Sequence, residues 1–115
     1  MERVTYAGEQ FLTGSDIAHA LLDYAAALAA ATAAATVAIP TIDLSGRAGT
    51  SHVLIGPASQ LVLTRIETGL ADPTDAELVA QLRRKADELH GRQPAAMPYV
   101  DEVAAEDQYY ADYGL

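Results

Sequence analysis

The chain has 115 residues, with seven basic against sixteen acidic side chains and neither cysteine nor tryptophan, so it holds one small acidic domain at most. Half of the residues are hydrophobic, but 24 are alanine, which leaves enough large side chains for one modest core. Absence of cysteine removes disulfides, thiolate catalysis and thiolate metal sites, and a net charge of −9 argues against direct nucleic-acid binding, which depends on Lys and Arg displacing counterions.

Met1-Glu2-Arg3 leads straight into alternating Val4 and Tyr6, without the basic and apolar regions of a signal peptide, which predicts a cytoplasmic protein. Arg3 to Ala7 reads as a strand, Gly8 permits a turn, and Gln10 to Leu12 returns as a second strand, giving an N-terminal hairpin. A helix follows. Thr13 or Ser15 serves as N-cap, Asp16 suits the positive end of the dipole, and Ile17, Leu21, Tyr24, Leu28, Ala31 and Ala35 form one stripe. Residues 24–42 carry no formal charge over a length close to that of a bilayer, but ten of them are Ala, three Thr and one Pro. That composition predicts a buried helix followed by a strand instead of a membrane span.

Around Thr36 the period changes to two, predicting a strand to Ile42 in which Pro40 demands an edge position or a bulge. Residues 45–49 read as a loop. Ser51 to Ile55 and Leu61 to Ile66 then form strands separated by Gly56-Pro57-Ala58-Ser59, which predicts a three-stranded meander. Thr74 with Glu77 makes a capping box for a second helix bearing Leu78, Leu82, Ala86 and Leu89 on one face. Gly91 fits its C-cap, with Arg83, Arg84 and Lys85 ahead of it.

His19 and Asp23 share a helix face and could make a His–carboxylate pair or two ligands of a metal, with His52, His90 or an acid elsewhere in the fold as a third. Against this stands the plainer reading of a solvated pair. Ser59 lacks a nucleophile elbow, His52 beside Ser51 reads as a half-exposed strand residue, and Gly46 and Gly49 precede a strand instead of a phosphate-binding helix. Asp87 and Glu88 nearly neutralise the Arg83-Arg84-Lys85 cluster. No cofactor is expected. The row Ala27, Ala30, Ala31, Ala34 and Ala35 admits two accounts, self-association through the helix or packing on the chain's own sheet.

Residues 93–115 hold five acids, no base and four of the six tyrosines. Acids oppose collapse of such a segment while the rings offer apolar area to a partner. The expectation is therefore a domain over residues 1–92 and an acidic, tyrosine-rich tail over 93–115. At Thr5-Tyr6-Ala7-Gly8, Asp16-Ile17-Ala18 with Leu21-Leu22, and Leu54 to Leu61, the sequence resembles small uncharacterised proteins of high-GC actinobacteria. The resemblance spans about the first 70 residues and implies no activity, cofactor or functional residue.

The predicted fold is α+β, an antiparallel sheet of four or five short strands with two helices on one face, in the order ββαβββα. A body of this size gains from burying an open sheet face against a second copy, so a homodimer is expected. The predicted function is a non-enzymatic protein-interaction module, with an inhibitor or antitoxin-like acidic binder as a variant, acting through the tail or the sheet face on a partner protein with a basic or apolar groove. Tyr99, Tyr109, Tyr110, Tyr113 and Leu115 would anchor the contact, and Glu106, Asp107 and Asp112 would select a basic surface. The alternative is a small enzyme or metal-binding protein built on His19, Asp23 and His52.

Overall fold

The structure, a computed structural model, describes residues 1–92. They form β1 (Glu2–Tyr6), β2 (Glu9–Thr13), α1 (Ser15–Ala30), β3 (Ala35–Ile42), β4 (Ala48–Ile55), β5 (Leu61–Arg65) and α2 (Ala76–Arg92). The fold is thus α+β in the order ββαβββα, with one five-stranded antiparallel sheet in the strand order β4-β3-β2-β1-β5. The expected tail residues Tyr99, Glu106, Asp107, Tyr109, Tyr110, Asp112, Tyr113 and Leu115 lie outside the described residues.

The first hairpin turns through Ala7 and Gly8, both at positive φ (54° and 82°), which is what a two-residue turn between right-twisted strands requires. Gly8 adopts this freely, whereas Ala7 holds it against its own β-carbon. Val37, Ile39, Val53 and Ile55 alternate with exposed or half-buried neighbours, and their inward side meets α1 through Ile17, Leu21, Tyr24 and Leu28. Each fully buried aliphatic side chain contributes roughly 1.5–3 kcal/mol over an exposed one. The helix α2 packs alongside α1, burying Leu82 and Ala86, and Arg83 reaches Asp23 at 2.6 Å. Ala20, Ala25 and Ala27 are buried in this core, Ala30 is exposed, and Ala34 and Ala35 lie beyond the helix. Of the small residues of α1, Ala18, Ala20, Ala25 and Ala27 therefore pack on their own chain, while Ala26, Ala29 and Ala30 face outward.

The caps differ from the sequence reading. Gly14 occupies the N-cap of α1 and no side chain caps it, because the two hydroxyls expected there have other acceptors. Thr13 donates to the Pro40 carbonyl at 2.7 Å and Ser15 to the Glu2 carboxylate at 3.2 Å. At α2 the cap is Asp75, one residue after Thr74, with its carboxylate accepting the Leu78 N–H at 3.0 Å, and Gly91 lies inside the helix instead of ending it. The C-terminus of α1 closes as a Schellman motif, Ala33 N–H to Leu28 C=O at 2.9 Å and Thr32 N–H to Ala29 C=O at 3.2 Å. It puts the β-branched Thr32 at φ 55°, where glycine is the usual residue.

The expected meander is overturned at its last strand. β5 leaves β4 and crosses to β1, pairing Leu61 with Tyr6 and Arg65 with Glu2, because β1 otherwise ends the sheet with one flank bare. Pro40 conforms to its constraint in an unexpected place. Although β3 is internal in strand order, its ladder with β2 is the single pair Leu12↔Ile42, so among the described residues Pro40 lies in a stretch laddered with β4 alone and costs no ladder bond on the other side.

Candidate functional site

Two β-ribbons compose the sheet, β1–β2 with β5 on one side and β3–β4 on the other. They join at Leu12↔Ile42 and meet again where the Tyr6 hydroxyl donates to the Leu54 carbonyl. Between these two points the backbones separate. The gap is a cleft of about 540 Å³, walled by Glu9, Gln10 and Phe11 of β2 and by Ser51, His52, Val53 and Leu54 of β4, with Thr41 and Asp43 at the joint. On the far side of the Tyr6–Leu54 bridge lies a shallower depression of about 640 Å³, reaching Val62 and the loop from Gly56 to Gln60. Leu54 and Val62 stand 62% and 55% exposed there, two large apolar side chains facing water at neighbouring sites.

The bridge is built by local chemistry. Ser59 closes the β4–β5 turn by accepting the Gly56 N–H at 2.8 Å, and its hydroxyl lies 3.1 Å from that of Tyr6. At the joint, the buried Thr41 hydroxyl is satisfied by Ser51 at 2.8 Å. Asp43 organises the β3–β4 loop. One carboxylate oxygen, Oδ1, accepts from the Ser45 hydroxyl at 2.6 Å, the Ser45 N–H at 2.9 Å and the Arg47 N–H at 2.9 Å. The Ser45 hydroxyl foremost, and then the Arg47 amide, hold its carboxyl below the ordinary 3.8.

The residues singled out for chemistry do not converge. His19 lies 3.7 Å from the buried Glu2 carboxylate, Asp23 is paired with Arg83 on α2, and His52 is exposed on β4. Spacing brought His19 and Asp23 to one helix, but each finds a partner on a different neighbouring element. Among the described residues no group of three His, Cys, Asp or Glu side chains is placed to hold a metal ion. The Ser59 hydroxyl serves the turn, and Arg83 of the basic cluster is tied to α1.

The sequence reading missed Tyr6, Phe11 and Leu54 as site residues. Their signal was present in part: Leu54 and Val62 are large apolar residues on the exposed phase of strands whose other phase is already apolar. No helix among the described residues is long and apolar enough to cross a membrane. Comparison with protein-family models, with curated proteins and with solved structures gives no match.

Proposed function

We propose that this chain is a non-enzymatic protein-interaction module that engages a partner protein through the cleft side of its divided sheet. The observation that carries this reading is the gap itself. Two ribbons pinned at both ends leave a preformed opening with exposed Leu54 and Val62 beside it, and such a surface gains most from being covered by another protein. The acidic balance of the chain suits a partner with basic or apolar character and would speed its approach. An inhibitor or antitoxin-like role, with acids presented to a cationic groove, is the specific form of this reading that moderate salt would weaken strongly.

A photo-crosslinking residue placed at Leu54 or Val62, with Arg84 on α2 as the control position, tests the reading in the native cell. Adducts to a discrete protein are expected from the first two positions and not from Arg84. Equal labelling from all three, or none from Leu54 and Val62, the positions at and beside the cleft, would defeat it. The segment 93–115, with five acids, no base and four tyrosines, supplies the second reading. Capture abolished by ending the chain after Arg92, with the cleft positions silent, would transfer the role to Tyr99, Tyr109, Tyr110, Tyr113 and Leu115.

A further inference from the structure

Neighbouring side chains on a strand point to opposite faces, so a run of consecutive residues along a cleft presents a backbone edge and not a face. Both walls here are such runs, Glu9 to Phe11 and Ser51 to Leu54. β2 pairs with β1 along its length but with β3 only at Leu12, and β4 pairs with β3 alone. Among the described residues, the outer N–H and C=O groups of both runs therefore lie outside any ladder, apart from the Leu54 carbonyl held by Tyr6. From Ala48 to Ile55 there is neither a charge of fixed sign nor a proline, the devices that commonly close an edge to strand addition.

Building on the interaction reading above, we infer that the cleft accepts an extended segment of the partner by strand addition to these edges, and that the segment alternates apolar with basic side chains. Phe11, half-buried at the cleft, offers apolar contact to one side of such a strand. Its charge follows from Glu9 and Asp43, the two charged side chains among the described residues lining the cleft, both acidic. The same field opposes the chain's own residues 93–115, which carry five acids and no base, and a second copy of net charge −9.

The test is an amide NMR titration of the full chain with a synthetic peptide of about eight alternating Val and Lys residues, the reach of one strand. Saturable shifts confined to Glu9–Phe11 and Ser51–Leu54 are expected. The same peptide methylated on alternate backbone nitrogens should lose binding at least tenfold, and Glu9→Gln should weaken it roughly threefold, as loss of one exposed ion pair does. Three outcomes would overturn the inference: equal binding of a Val–Glu peptide, binding that survives methylation, or shifts located elsewhere. Displacement by a peptide of residues 93–115 would make the tail the occupant, and concentration-dependent shifts at β4 without peptide would make it a second copy; either result also overturns the inference. Cleft crosslinks without peptide binding would refute the strand-addition account and leave the interaction reading standing, whereas absence of both would remove the two together.

Discussion

At Thr32 a single residue works against its backbone. The Schellman closure of α1 needs a left-handed residue, and a β-branched side chain there costs about 1–2 kcal/mol that glycine avoids. Thr32→Gly is therefore expected to stabilise the protein by about 1 kcal/mol, allowing for the extra freedom glycine has when unfolded, and to raise Tm by roughly 4–8 °C. A thermal melt checks this. Asp43 makes a prediction of another kind. Its folded carboxyl is held below the ordinary value, so the ionised form stabilises the fold, fully above the unfolded range and progressively less as pH falls through the folded value. Asp43→Asn should thus be less stable than the native chain at neutral pH, and the difference should shrink below about pH 4 in denaturant titrations repeated across the acid range.

Elements meet at Gly14. A β-carbon there would overlap the carbonyl oxygen of Pro73, so the start of α1 and the segment leading into α2 approach as closely as backbone permits. Gly14→Ala should cost about 2 kcal/mol or more, seen as a lower midpoint in chemical denaturation with an unchanged slope. Nothing in the local sequence announces this glycine, because its constraint comes from a residue far along the chain. The elements themselves were legible: the 3.6-residue stripe Ile17, Leu21, Tyr24, Leu28 and the period-two runs in β3 and β4 give type and place without tertiary information. Crossing of β5 to β1 was not legible, since adjacency in sequence favours the hairpin and only the needs of β1 decide otherwise. The cleft inherits that difficulty. His52 was noted from sequence, but its neighbours Phe11 and Glu9 reach the same opening only through the way the two ribbons diverge.

At the scale of the whole molecule, one continuous core includes residues of α1, α2, β3 and β4, with a smaller cluster of Met1, Leu12 and Ile42 on the opposite side of the sheet. Leu21 and Leu82 belong to the same core from different helices, so Leu21→Ala and Leu82→Ala should each cost about 3 kcal/mol and each lower one shared transition. Separate transitions in far-ultraviolet circular dichroism and tyrosine fluorescence would show that α2 melts on its own. The pairing of Glu2 with Arg65 also bears on the order of assembly. A growing polypeptide offers its first strand long before the last arrives to flank it, so the sheet is finished only once Arg65 has left the ribosome, and folding should fall among the slower, non-local topologies.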